Sequence, residues 1–290
     1  MMLKLKLEAL ILTIEQLPTL SDISTETLAL IEADDTSIDE MSRFIERDQA
    51  LALQVLKYAN SPFAGTTSAV SSIKHAVVIM GLNEVKTLLL ALTLQHFFAS
   101  SGRDKENRRH FWKHSLICSH VANYLARSFQ LRADSTVFIS ALIHDIGKIV
   151  VDQYLHDEFI KVVEYIEKNH TTFNEAEKAI LGLTHYQIGA KLLRQWSFPE
   201  QIISQVYHHH APWLDQRYRQ GATILYLANI LTKMAGFSCL AGEKKLELAQ
   251  FSTSKAMRFI RESGFPLNKE LLARLLTDIS HLLQDADDFF

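Results

Sequence analysis

The feature that most constrains the fold is an apolar repeat with a spacing of three or four residues, which runs through almost the whole chain. Near the start it is formed by Leu3, Leu7, Leu10, Ile14 and Leu17. This spacing places apolar side chains on one face of an α-helix. The 290 residues include only 10 glycines and 5 prolines, and such a low content of helix breakers favours long helices over many short strands. We therefore predict an all-α fold.

The polar stretch SSGRDKENRR, at 100–109, predicts a boundary between two helical lobes. Residues 1–100 are predicted to form the N-terminal lobe, in which the NSPFAG segment at 60–65 ends a helix in a turn. Residues 101–240 are predicted to form the second lobe, and 241–290 a C-terminal helical extension. Within the second lobe, helices are predicted at 109–129, 134–155, 156–169, 174–181 and 184–196, and after Pro199. The predicted architecture is a two-lobed helical bundle.

Composition narrows the function classes. The formal net charge of −3 provides no global basic field, so nucleic acid is not an expected partner. Cys118 and Cys239 are far apart and form no CxxC motif, as expected of reduced cysteines in a cytosolic protein. No apolar run is long enough to span a bilayer, and charged residues interrupt the N-terminal segment too early for a signal peptide. We expect a cytoplasmic protein without a membrane segment.

The segment ALIHDIGKIV, at 141–150, places charged and polar groups where the apolar pattern predicts core. His144, Asp145 and Lys148 are the residues concerned. A buried charge is costly unless it is paired or binds a metal. His144 and Asp145 therefore form either a buried hydrogen-bonded pair or part of a metal site. For Lys148, the alternatives are an ion pair with Asp152, four residues on, and contact with a phosphate.

Histidines recur along the second lobe at positions that suit a shared site. His110 and His114 are four residues apart and lie on one helical face. His185 follows later, and His208, His209 and His210 end the helix that begins after Pro199. Helical bundles build transition-metal sites from imidazoles and carboxylates on several helices. Consecutive helical positions point about 100° apart, so we expect His208 to be a bystander.

These residues carry a family resemblance. The order of His114, His144–Asp145, His185 and His209–His210 resembles the HD superfamily of metal-dependent phosphohydrolases and its HD-GYP phosphodiesterase branch. The surrounding segments are more similar to the HDOD domain, a signal-output relative of the HD enzymes. The matching segments are VLKYANSPFAG, SIKHAVVIMGLNEVKTLLL, FWKHS, LGLTHYQIGAKLLRQWSFPEQI and HHAP. The resemblance covers roughly residues 10–240 and implies an HD-like C-terminal lobe.

The resemblance also implies a ligand set. The implied metal ligands are His114, His144, Asp145, His185, His209 and His210, with His110 and Asn229 as weaker candidates. Asn229 stands where HD enzymes close their site with an aspartate, and His110 stands where the phosphodiesterase branch has a glutamate. The Gly-Tyr-Pro segment of that branch is absent. The implied cofactor is a divalent iron, manganese, zinc or nickel ion.

Two functions follow from this pattern. The first is a regulatory, signal-transducing HDOD module that acts on a protein partner and has little or no catalytic activity. The alternative is a metal-dependent phosphohydrolase acting on a nucleotide or phosphodiester, in which Asp145 and Lys148 are the catalytic candidates. A helical scaffold without any site is the third interpretation. The neutral amide of Asn229 and the missing Gly-Tyr-Pro segment favour the regulatory module.

Overall fold

The computed structural model is all-α, as predicted. All regular secondary structure in the residues it describes is helical. The described residues are 30, 33, 35–61, 64, 69–89, 92, 105–131, 135–196, 198–240, 243 and 246–284, with the side chains of 105–107, 135 and 282–284 excepted. The N-terminal helix predicted from the leucine repeat lies outside these residues.

The chain divides into two compact units, one of which contains described residues 30–92 and 277–284. Its helices are α1 (Ile38–Glu46), α2 (Gln49–Ala59) and α3 (Ile73–Met80), and residues 82–89 are also helical. Ser37 and Asp48 cap α1 and α2 by accepting hydrogen bonds from backbone N–H groups of the first turn. The buried apolar side chains of this unit, among them Met41, Ile45 and Val77, form a core of their own.

Asn60, the first residue of the NSPFAG segment, is the C-cap of α2, so a helix ends there as predicted. The Asn60 side chain donates to the carbonyl oxygens of Leu56 and Val70, each at 2.8 Å. Its Oδ1 accepts from the Val70 N–H at 2.8 Å. One amide therefore ties the end of α2 to the residue that precedes α3 by three positions. Such local side-chain bonds to the backbone are the usual means by which asparagine ends a helix and fixes a turn.

The other unit contains described residues 105–276. Its helices are α4 (Lys105–Ser128), α5 (Ser135–Ile143), α6 (Ile146–Tyr154), α7 (His156–Asn169), α8 (Phe173–Ile180), α9 (His185–Gln195), α10 (Glu200–His208), α11 (Arg219–Met234), α12 (Leu248–Ser252), α13 (Lys255–Glu262) and α14 (Lys269–Gln284), the last of which ends beyond this unit. Helix α4 packs against α5 and α11, α9 packs against α6 and α10, and α7 packs against α6 and α8.

The predicted helix at 134–155 is wrong in one respect that matters for function. The structure has two helices there, α5 and α6, and His144 and Asp145 form the turn between them. The apolar pattern continues through the break because both helices are buried, so periodicity did not reveal it. The break presents the imidazole and the carboxylate at the junction of two helices.

The polar stretch at 100–109 is only partly described. Residues 105–109 belong to α4, and 100–104 lie outside the described residues. The domain bounds at 100 and 240 therefore stay predictions. No helix in the described part of the chain is long and apolar enough to cross a membrane.

Candidate metal centre

The first of the predicted ligands, His114, lies on α4, and its side chain is buried. Its Nδ1 lies 2.7 Å from the carbonyl oxygen of Phe237, which follows α11. Because a carbonyl oxygen only accepts hydrogen bonds, Nδ1 carries the proton. In the neutral ring, Nε2 then presents a lone pair.

His144 and Asp145 reach the centre from the turn between α5 and α6. His144 Nδ1 donates to the carbonyl oxygen of Ala141 at 2.7 Å, so its Nε2 also presents a lone pair in the neutral ring. Asp145 has no capping bond to the start of α6. Its carboxylate is turned to the surrounding side chains instead.

Gly147, in the first turn of α6, permits the close approach of α6, which directly follows Asp145, and α9, which begins at His185. A Cβ atom on Gly147 would lie 2.0 Å from the carbonyl oxygen of His185, the first residue of α9. This atom belongs to the backbone and has no side-chain freedom to move away. The glycine of HDIGK is therefore needed to bring His185 beside Asp145.

His185 is oriented by Glu177 of α8. Glu177 Oε2 accepts from the His185 backbone N–H at 2.9 Å and from its Nδ1 at 2.6 Å. Both residues are fully buried. His185 is the first residue of α9, and Thr184 is the N-cap of that helix. The imidazole nevertheless points into the cluster.

His209 and His210 approach from the end of α10. His209 Nδ1 donates to the carbonyl oxygen of Val206 at 2.6 Å. His210 Nε2 lies 3.0 Å from His185 Nε2. His208 contacts the ring of Tyr207 instead.

Asp145 lies between two groups of imidazoles. Its Oδ2 is 3.4 Å from Nε2 of His144 and 3.8 Å from Nε2 of His114. Its Oδ1 is 3.2 Å from Nε2 of His185 and 3.9 Å from Nε2 of His209. His114, His144 and Asp145 form one group whose ligand atoms lie within 4.8 Å of one another, and His185, His209 and His210 form another. The structure thus brings together all six residues predicted as principal ligands.

The nitrogen atoms that face one another are separated by distances typical of ligands on a shared ion. Nε2 of His114 is 3.4 Å from Nε2 of His144, and Nε2 of His185 is 3.3 Å from Nε2 of His209. Two nitrogen ligands at 2.0–2.1 Å from a tetrahedral metal would be about 3.3–3.4 Å apart. The side chains present therefore fit a transition-metal ion.

Burial keeps the imidazoles of His114, His144 and His209 neutral. It lowers the pKa of His114 to about 3, with help from His144, and it lowers the pKa of His144 to about 4. The pKa of His209 is also well below its ordinary value, first because of burial. Since the Nδ1 atoms of these rings donate to carbonyl oxygens, facing Nε2 atoms direct lone pairs at each other. A cation between them would remove that repulsion.

Asp145 has two further partners on the Oδ2 side. Lys148 Nζ donates to Oδ2 at 2.6 Å, and Cys239 Sγ lies 3.0 Å from the same oxygen. Burial alone would raise the pKa of Asp145, but its interactions with His144 and with the ammonium group of Lys148 hold that pKa well below its usual range. The predicted pair of Lys148 with Asp152 is wrong, because Asp152 pairs with Arg108 at 2.7 Å.

The HDOD family model matches residues 17–212, about two thirds of the chain. The chain belongs to the HDOD family. The match confirms the resemblance drawn from the segments around Asn60, His114 and His185.

Three solved structures share the fold. An HDOD domain protein of unknown function from Geobacter sulfurreducens is 24% identical, with a TM-score of 0.77 over 95% of this chain and 94% of that one. A Shewanella amazonensis protein provisionally described as a phosphohydrolase is 18% identical, with a TM-score of 0.74 over 96% and 97%. A Marinobacter aquaeolei protein provisionally described as a signal transduction protein is 23% identical, with a TM-score of 0.68 over 94% and 58%. At these identities the likeness shows the fold alone. The chain spans less than half the length of the curated relatives it matches.

The two weaker ligand candidates of this HDOD domain have different environments. His110 is exposed on α4, one turn before His114, and does not belong to either ligand group. Asn229 is buried on α11, and its Oδ1 has no hydrogen-bond partner. A buried amide oxygen without a partner is an acceptor that remains available to a ligand. Asn229 therefore remains a candidate, whereas His110 does not.

Sequence reasoning missed Glu177 and Cys239. Glu177 lies on a different helix from His185, eight residues earlier, and Cys239 lies 94 residues after Asp145. Neither contact lies within a single helix, so helical spacing does not predict it. Their contacts depend on helix packing, which periodicity alone does not specify.

Substitution of Gly147 by alanine should disturb the centre. We expect Gly147→Ala to lower the free energy of unfolding by about 1–3 kcal/mol, as overpacking of a tight contact does, and to reduce metal retention. Denaturant unfolding and elemental analysis measure the two effects. Gly221→Ala is the matched control, since the atoms nearest to its Cβ would belong to the Gln205 side chain and not to the backbone. A Gly147→Ala protein with unchanged stability and metal content would contradict the role given to this contact.

Proposed function

We propose that this HDOD domain is a regulatory module built around a buried metal centre, with a signalling output and little or no catalysis. The observation that carries this proposal is the burial of the ligand candidates. His144, His185 and His209 are 0% exposed, His114 is 1% and Asp145 is 2% exposed. Only His210 among the six is partly exposed. A substrate would have to displace protein to reach the ions.

The metal in this proposal is a divalent transition ion. Five imidazoles and one carboxylate form a donor set that suits iron, manganese, zinc or nickel better than magnesium or calcium. One group of ligands would be His114, His144 and Asp145, and the other His185, His209 and His210, with Asp145 between them. Asn229 would add only a neutral oxygen. The site would therefore have one negative charge fewer to hold the ion than a site with aspartate at this position.

The contacts of Asp145 support a structural metal over a catalytic one. Lys148 and Cys239 occupy the neighbourhood of Oδ2, where a substrate phosphate would otherwise approach a bound ion. Lys148 also supplies the positive charge that balances Asp145. The buried charge is therefore compensated even in the metal-free protein.

The second candidate is a phosphohydrolase, and the position of Asp145 between two imidazole groups favours it. A bound metal lowers the pKa of a coordinated water and so supplies a nucleophile for phosphoryl chemistry. In that case Asp145 would bind metal, and Lys148, after leaving Asp145, would contact the phosphate. The burial of both residues makes this candidate secondary.

The output of the module is proposed to be a contact with a protein partner. The acidic balance of the chain and the absence of a basic composition argue against nucleic acid. We propose a cytoplasmic location, where free cysteines such as Cys118 and Cys239 are usual. Binding of the metal would change how α4, α6, α9 and α10 pack against one another, because these helices carry ligand candidates or border them.

Metal content tests this proposal. Protein purified without a histidine tag should contain a divalent transition metal, and Asp145→Asn should lower its affinity at least tenfold because the only candidate carboxylate ligand loses its charge. Elemental analysis and titration against a competing chelator are the measurements. Asp157→Asn, an exposed position at the start of α7, is the matched control and should behave as wild type. Wild-type protein that takes up no transition metal would refute the proposal.

Turnover separates the two candidate functions. We expect no measurable hydrolysis of cyclic dinucleotides and only slow hydrolysis of an aryl phosphodiester with added manganese. The physical reason is the burial of the ligand cluster behind Lys148 and Cys239. Steady-state assays of wild-type protein and Asp145→Asn measure this. Rapid turnover of a specific nucleotide that is lost in Asp145→Asn would make the phosphohydrolase the primary function.

A further inference from the structure

Glu177 is the buried carboxylate that orients His185. It lies on α8 with 0% of its surface exposed. Its Oε2 accepts both the backbone N–H and the Nδ1–H of His185, at 2.9 and 2.6 Å. Its Oε1 has no hydrogen-bond partner. The side chain is thus held by a single residue, and that residue is a metal-ligand candidate.

Glu177 differs from Asp145 and Asp152, because no lysine or arginine among the described residues lies within ion-pair distance of it. Asp145 has Lys148 at 2.6 Å, and Asp152 has Arg108 at 2.7 Å. Among the described residues, the only basic group within ion-pair distance of Glu177 is the ring of His185. A buried charge without a compensating partner costs several kcal/mol. A cation beyond the ring of His185 would compensate it.

His185 also differs from the other ligand candidates in its Nδ1 partner. The Nδ1 atoms of His114, His144 and His209 meet backbone carbonyl oxygens. His185 alone among these four meets a carboxylate. An imidazole that donates to a carboxylate is the more basic ligand, because negative charge is transmitted through the ring to the metal.

We propose that Glu177 is a positioning residue for a divalent transition metal held by His185, His209 and His210. It fixes the tautomer of His185 with the proton on Nδ1, directs Nε2 at the ion, and adds a negative charge to the group His185, His209 and His210, which contains no carboxylate of its own. This inference rests on the metal-holding function proposed above. It adds a residue and an electrostatic role that the ligand set alone does not contain.

A purely structural role is the alternative, since Glu177 also accepts the first backbone N–H of α9. The Glu177→Gln substitution separates the two roles. The glutamine amide oxygen still accepts from the backbone or the ring, but the charge is gone. Glu175→Gln is the matched control, because Glu175 is an exposed residue of the same helix.

The experiment is a zinc titration of the full, untagged, metal-free chain against a chromophoric chelator. Glu177→Gln should bind zinc at least tenfold more weakly than wild type, as loss of such a partner usually costs 10–100-fold in affinity. Glu175→Gln should bind as wild type. The metal-free Glu177→Gln protein should unfold at the same temperature as wild type or higher, since an uncompensated buried charge is removed.

The outcomes are distinct. If wild type binds zinc and Glu177→Gln binds it equally well but unfolds at a lower temperature, the role is structural and this inference alone is overturned. If wild type binds no zinc, the metal function fails, and the inference with it.

Histidine ¹⁵N spectra of wild type give a check that needs no variant. A proton on His185 Nδ1 is expected, and a proton on Nε2 would overturn the assignment.

Discussion

The hydrogen bonds at Nδ1 of the buried histidines determine what the centre can do. Each of four imidazoles donates through Nδ1 to a carbonyl or carboxylate oxygen, at 2.6–2.7 Å. These bonds set the ring orientation, and in the neutral ring they leave the proton off Nε2. The lone pairs then converge around Asp145. A cluster held in this way is arranged for a cation, whereas a cluster of ordinary core histidines would pair its ring nitrogens with separate partners.

This convergence depends on backbone packing at one contact. Helices α6 and α9 approach so closely at Gly147 and His185 that no side chain fits between them. The turn at His144–Asp145 places the carboxylate beside this contact, and α10 delivers His209 to the other side of His185. Burial keeps His114, His144 and His209 neutral, as metal ligands must be. It also leaves a substrate little access to the candidate metal centre, which is why we propose regulation over catalysis.

The sequence predicted the fold class and the principal residues of the candidate site, but not how that site is held. Apolar periodicity was sufficient for an all-α chain, because few glycines and prolines interrupt it. It did not reveal the break between α5 and α6, since both helices are buried and the pattern runs through the turn.

The contacts of single side chains were harder to predict. The predicted pair of Lys148 with Asp152 was wrong, because Arg108, 44 residues before Asp152, pairs with that carboxylate. Glu177 could not be found by spacing, because its contact with His185 arises from the packing of α8 beside the start of α9. His110 satisfied the helical spacing and yet is exposed, so spacing alone does not identify a ligand.

The central claim is that the facing Nε2 atoms share a metal ion. Anomalous X-ray diffraction from crystals of the untagged protein, collected on both sides of the zinc, iron, nickel and manganese edges, tests it most directly. The account predicts an anomalous peak at about 2.0–2.2 Å from Nε2 atoms of at least one imidazole group and from an oxygen of Asp145. Absence of any such peak from crystals grown with excess metal, with the six side chains in the positions described, would contradict the account.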